Sequence, residues 1–239
     1  ECLEAIGNSA IWRERAESKK HPYRGVGLAA GGWLGGLQPA SAVVGLNGDG
    51  TINVIVGSAD ITGTNTSFAQ IAAEVLNVPL SMVGVATGDT KSAPYAGMSA
   101  GSKTTYTVGR AVKEAAEDAK RQILEVASRR LECAAEELEL AEGEVRMKGS
   151  LRQGSGQAPE KSLTFLRLGR ITTNFDAPYA AIVGRGTITA RHQAPGFSVQ
   201  AAELEVDPDT GEVTVLRYAV AQDAGFAINP LSVEGQMQG

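Results

Sequence analysis

Between Gly57 and Val112 the chain twice runs from a turn rich in Gly, Ser and Thr straight into a helix, and this pairing restricts the fold more than any other feature. Phe68, Ile71, Ala72, Val75 and Leu76 fall at i, i+3, i+4, i+7 and i+8, the spacing of one apolar helix face. Gly63-Thr64-Asn65-Thr66 stands just ahead of it and is expected to supply capping hydroxyls and a permissive backbone. Gly97 to Thr105 (GMSAGSKTT) leads into a second, longer helix, expected from Thr104 to Leu131. Free N–H groups and the macrodipole at a helix start favour anions. Taken singly, each turn is an ordinary capped turn. Two together suit a large, polar, phosphate-bearing ligand.

The flanking sequence predicts an α+β fold, mixed sheets packed with helices in two lobes. Ala42, Val44 and Leu46 alternate, Asn47-Gly48-Asp49-Gly50 reads as a hairpin turn, and Ile52, Val54 and Val56 alternate again. Val83 to Ala86 reads as a short strand after the first helix, and Arg24 to Leu37 as an extended segment. Gly25-Val26-Gly27 is not a dinucleotide fingerprint, having neither the preceding strand nor the acidic partner. Residues 3 to 17 form a weak helix interrupted by Gly7, with Trp12 packed on the body. Leu138 to Leu140 and Val145 to Met147 form a hairpin about Gly143. The polar run Arg152 to Lys161 is expected to be a loop, with a lobe boundary between residues 1–150 and 151–239. A short helix from Ser162 to Leu168 follows, then strands Gly184 to Arg191, Val199 to Val206 and Val213 to Gln222. Leu204 and Val206 are expected to share a face with Leu216, Tyr218 and Val220.

Composition excludes some classes. A net charge of −5 without a basic run argues against a nucleic-acid surface. No apolar stretch approaches the roughly 18 residues of a membrane span, and no signal peptide is visible, so a cytoplasmic location is expected. Two cysteines, Cys2 and Cys133, cannot hold a four-thiolate cluster and read as reduced thiols. The chain starts at Glu1 and stops at Gly239, inside a helix opened by Asn229 and Pro230, so it reads as an excised piece of a longer subunit, truncated at its C-terminus.

The order of the motifs resembles the molybdopterin-binding region of the xanthine dehydrogenase and aldehyde oxidase family of molybdenum hydroxylases. Thr66…Gln70-Ile71-Ala72-Ala73-Glu74…Leu76, Gly88-Asp89-Thr90, Ser99 to Ser102 and Gly109-Arg110-Ala111-Val112 follow one another as in that family. Gln222-Asp223-Ala224-Gly225, Asn229-Pro230 and Gly235-Gln236 look like its D-x-G-x-x-x-N-P…G-Q signature.

The resemblance implies part of an oxidoreductase that hydroxylates an aldehyde or N-heterocycle with water as the oxygen source. It implies a molybdenum–pterin cofactor in its cytosine dinucleotide form. It implies as partners the remainder of the large subunit, iron–sulfur and FAD components, and a small-molecule substrate. Thr62, Gly63, Ser99, Ala100, Gly101, Ser102 and Gln236 then become the cofactor-binding candidates. Small residues at 99–101 would leave space for metal and substrate, Ser102 would bond the cofactor, and Asp89 and Thr90 would organise their loop.

Two positions depart from the family pattern. Ile61-Thr62-Gly63 stands where many members have G-Q-G, and Lys103 stands where arginine is frequent, keeping the charge without the bidentate fork. The family's G-x-G-E base has no counterpart here. Ala141-Glu142-Gly143-Glu144 reads as a solvated hairpin turn, and Glu203 with Glu205 as a solvent-facing strand pair. No catalytic residue and no protein metal ligand is therefore assigned, His21 and His192 being isolated. As a separate piece the chain is expected to be inactive and able to lack the cofactor. The alternative function is a non-catalytic ligand-binding or assembly module on the same scaffold.

Overall fold

In the computed structural model, residues 1–149, 162–189 and 193–239 are described. The expected loop and lobe boundary at 152–161, and His192, lie outside them. In chain order, three short helices, α1 (Cys2–Gly7), α2 (Ala10–Arg13) and α3 (Arg15–Ser18), precede β1 (Arg24–Gly35), β2 (Ala40–Leu46) and β3 (Ile52–Val56). Next come α4 (Thr64–Leu76), β4 (Val83–Ala86), the long α5 (Thr104–Leu131), β5 (Leu138–Ala141) and β6 (Glu144–Met147). The rest are β7 (Ser162–Thr164), α6 (Phe165–Thr173), β8 (Val183–Ile188), β9 (Ala194–Val206), β10 (Val213–Asp223) and α7 (Pro230–Gln238).

These elements group into two compact units, residues 1–35 with 194–239, and residues 36–193. The grouping differs from a cut near residue 150. Strand β7 pairs with β6, so segments on both sides of that cut share one sheet. The expected helix over 162–168 is corrected at the same place. Ser162–Thr164 is a strand, and Thr164 then caps α6 by accepting from the Arg167 N–H (3.3 Å).

The central unit is built on the sheet β4-β3-β2-β8. The alternating residues of β2 and β3 pair antiparallel, Val44 opposite Val54, and one side of both strands is buried. Val83–Ala86 lies parallel to β3, so α4 is the crossover of a βαβ unit. Helices α4 and α5 pack close because Gly109 carries no side chain; a Cβ there would meet Ile71 Cδ1 at 3.0 Å. The opposite flank of α5 lies on β8 through two glycines. A Cβ at Gly184 would stand 2.1 Å from Ala115 O, and one at Gly186 2.0 Å from Ala111 O. Phe68, Ala72 and Leu76 of α4 and Val108, Val112, Ala115 and Ile123 of α5 fill this core, while Lys113–Glu117 and Arg121–Glu125 pair on the exposed face of α5.

In the other unit, β1-β9-β10 form an antiparallel sheet. Ile6 and Ile11 pack on Val199 and Ala201, so the face of β9 carrying residues 199, 201 and 203 is the inward one. Glu203, expected to face solvent, is 6% exposed, accepts from the Ser18 hydroxyl and pairs with Arg217 Nε (2.5 Å). Arg217 also reaches Glu14 (2.7 Å), and Arg24 pairs with Glu205 (3.1 Å). The face-sharing expectation holds for Tyr218 and Val220, which stand opposite Ala202 and Gln200 on the face that carries Leu204 and Val206, and is corrected only at Leu216. Val215 is opposite Leu204 and Tyr218 opposite Ala202, with a bulge at Leu216 between them.

Candidate functional site

Two loops leave the carboxyl ends of parallel neighbours. Gly57 to Gly63 follows β3, and residues 87–103 follow β4, so both emerge at one sheet edge. Crevices at the carboxyl ends of parallel strands are the usual ligand sites of such sheets. The loops touch there: a Cβ on Gly57 would lie 2.2 Å from Pro94 O. The antiparallel β2 begins at the same edge, and its Ser41 N–H donates to Tyr95 O (2.7 Å).

The start of α4 is organised by Asp60. Its Oδ1 accepts from the Asn65 N–H (3.1 Å) and the Thr64 hydroxyl (3.2 Å), satisfying a first-turn donor. The expectation that the hydroxyls of 64–66 precede and cap the helix is thus corrected: Thr64 is already helical, and Gly63 at the cap is left-handed (φ 75°). Thr62 is left-handed too (φ 64°), a strained state for a β-branched residue, and its hydroxyl donates to Ile61 O (2.6 Å).

The second helix start repeats this backbone. Gly101 (φ 70°) and Ser102 (φ 53°) are consecutive left-handed residues just before α5. Ser99, Ala100 and Ser102 are exposed and Gly101 is half-buried. Earlier in the same loop, the Asp89 carboxylate accepts from the Lys91 N–H (2.9 Å) and the Ser92 hydroxyl. The Ser92 hydroxyl and then the Lys91 N–H hold its pKa below the usual carboxylate value. Asp89 therefore organises its own loop.

Lys103 turns inward. It is 2% exposed, its Nζ donates to Ala96 O, and burial pushes its pKa down. Around the loops, Ser58 Oγ, Gln38 Oε1 and Asn65 Oδ1 are buried with no hydrogen-bond partner among the described residues. Leaving such an atom unpaired costs about 1–3 kcal/mol. A polar ligand at this edge fits that donor and acceptor set. Among the described residues no cluster of three His, Cys, Asp or Glu side chains could hold a metal ion, and His21 is exposed.

The structure brings Thr62, Gly63 and Ser99 to Ser102 to loops at one edge of the central sheet. Gln236 does not belong to that unit; it lies exposed on α7, which Asn229 caps through the Ser232 N–H (3.4 Å). Glu142 and Gly143 take left-handed conformations in the tight β5–β6 turn, as expected of a hairpin.

Comparison with known proteins decides the family. The molybdopterin cofactor-binding domain family matches residues 1–239, the whole chain. The chain belongs to that family. The xanthine dehydrogenase molybdenum-binding subunit of Escherichia coli O157:H7 is 31% identical over 255 residues, covering 100% of this chain and 32% of that protein. The crystal structure of Cu,Mo-CO dehydrogenase superposes with a TM-score of 0.80 at 25% identity, covering 99% of this chain and 32% of the other. Quinoline 2-oxidoreductase from Pseudomonas putida 86 gives 0.78 at 25% identity over 100% of this chain and 32% of its own. The chain thus spans 32% of the length of each of these relatives. The α+β class read from the sequence is that of these molybdenum-hydroxylase subunits.

Sequence reasoning missed three groups in this molybdopterin cofactor-binding domain. Asp60 had a usable signal, an acidic side chain shortly before a helix start. Gln38 and Ser58 had none, because their burial follows from the meeting of the loops with β2 and β3.

Proposed function

We propose that this chain forms part of the cofactor site of a molybdenum hydroxylase of the xanthine dehydrogenase and aldehyde oxidase type. One observation carries the reading: two loops of small, left-handed residues, each opening a helix, leave the carboxyl ends of the parallel pair β3 and β4. Thr62, Gly63 and Ser99 to Ser102 would hold a molybdenum–pterin group there; Gln236, on α7 of the other unit, is proposed as a cofactor-binding residue from the family resemblance alone. When bound, that group supplies the oxidation of an aldehyde or N-heterocycle with water as oxygen source.

The chain's own part is positioning. Ala100 and Gly101 keep side-chain bulk out of the ligand space, and Ser102 offers an exposed hydroxyl. Both helix starts are preceded by left-handed turns, and a helix N-terminus favours anionic groups such as phosphate. At α4 the Asp60 carboxylate already takes the Asn65 N–H, so the α5 start is the one proposed to face the anion. No acid or base is assigned on this chain, so catalysis would require the remainder of the subunit, and the separate chain is expected to be inactive. A cytosine dinucleotide form of the cofactor, iron–sulfur and FAD partners, and a cytoplasmic location complete the proposal.

The test is Ala100→Phe in the full-length protein that carries this chain. Ala100 is exposed, so the fold should be retained while pterin content, measured by fluorescence after oxidation, is lost. A folded variant with its full pterin complement would contradict the assignment of this loop.

A further inference from the structure

The Gly97–Ser102 loop is closed at its base by a residue that the cofactor reading does not use. Lys103 follows the loop and reaches back to the residue before it, donating from Nζ to Ala96 O. Its ammonium is almost wholly buried, in a place where a charge persists only if it is held by hydrogen bonds. Ala96 is itself buried in the core, and its neighbour Tyr95 is tied to β2 through the Ser41 N–H. The carbonyl that Lys103 grips is therefore fixed to the sheet.

Gln38 supplies the second half of the arrangement. A Cβ on Gly97 would meet Gln38 Oε1 at 2.5 Å and Lys103 Nζ at 3.0 Å, so the amide oxygen and the ammonium converge over the same glycine. Among the described residues Gln38 Oε1 is a buried acceptor without a partner, and the ammonium that converges on the same glycine carries three N–H donors, one of them given to Ala96 O. Gly97 is left-handed (φ 66°) as well, so only glycine suits the crossing point.

We propose that Lys103, backed by Gln38, is a buried clasp that sets the shape of the Gly97–Ser102 loop, and is a positioning residue for cofactor binding rather than a ligand to it. That role toward the cofactor rests on the function proposed above; the clasp itself does not. The loop leaves its stem at Ala96, passes through the exposed 98–100 segment, and returns through two left-handed residues to the lysine that holds the stem. The charge at 103 stabilises loop shape from below and is not presented to an anion above it.

The experiment compares the full-length protein with Lys103→Met, Lys103→Arg and Gly97→Ala, using Lys113→Met on the exposed face of α5 as control. Hydrogen exchange of residues 97–102, pterin content and melting temperature are read for each. Loss of a charge-assisted hydrogen bond predicts exchange faster by about tenfold or more at 97–102 in Lys103→Met, with pterin content falling in parallel. Lys103→Arg restores part of both, and Lys113→Met changes neither. Exchange at 97–102 unchanged in Lys103→Met overturns the clasp. Faster exchange with full pterin content keeps the clasp and removes its role toward the cofactor. If Lys103→Met does not fold, Gly97→Ala gives the same reading from the loop side, and wild-type exchange there overturns the proposal.

Discussion

Replacing Gly186 with alanine should break the tightest helix–strand contact in the central unit. The new Cβ would stand 2.0 Å from Ala111 O and 2.6 Å from Ala115 N, both backbone atoms of α5. Optimal contact needs about 3.5 Å, so α5 and β8 must part by on the order of 1 Å. Neither side can yield locally. Strand β8 is paired along β2, and α5 is buried through Val108, Val112 and Ile123. Overpacking costs typically about 1–3 kcal/mol, and a clash of backbone with backbone belongs at the top of that range. At about 2–4 °C per kcal/mol for a domain of this size, the melting temperature should fall by roughly 6–12 °C. Thermal unfolding followed by circular dichroism measures it. Gly84→Ala is the control in the same sheet, because its Cβ would meet Ile52 O at an ordinary 3.9 Å and should change stability by no more than about 0.5 kcal/mol. Equal stability of the Gly186→Ala variant and the wild type, or an equal loss in both variants, would refute the close-packing argument.

The acid limb of stability should depend on Glu203. The Ser18 hydroxyl and the Arg217 guanidinium hold its pKa below the ordinary value, so the group stabilises the fold above the unfolded carboxylate pKa. That contribution is lost as pH falls through the lower, folded value. Urea unfolding at stepped acidic pH should show a shallower decline in Glu203→Gln, and an unchanged slope would exclude the linkage. Asp60→Ala should cost about 1 kcal/mol by uncapping α4 and speed exchange of the Asn65 amide, whereas wild-type exchange there would exclude the cap.

Much of the fold was legible because periodicity reports burial. The β2–β3 hairpin, α4 and α5 all carry apolar residues at the period of the element they form. Glu203 was not legible. Alternation along β9 separates two faces but does not say which is covered, and here α1 and α2 bury the side carrying Val199 and Ala201. Leu204, Val206 and Tyr218 do share a face, as their alternation indicates, but it is the less covered one, and Tyr218 is 57% exposed. The bulge at Leu216 further shifted the partners of β10, and a single extra residue leaves no mark on hydrophobic pattern. At the candidate site the left-handed turns were suggested by glycine and serine, whereas the inward path of Lys103 depends on Ala96 and Gln38, distant from it in sequence or hidden in a loop.

The central claim is tested most directly by elemental and pterin analysis of the full-length protein purified from its native host. The account predicts molybdenum and a pterin dinucleotide at about one per subunit, since in such sites the cofactor carries the redox chemistry and the protein positions it. A well-folded protein containing neither would contradict it, and would leave the scaffold as a binding or assembly module.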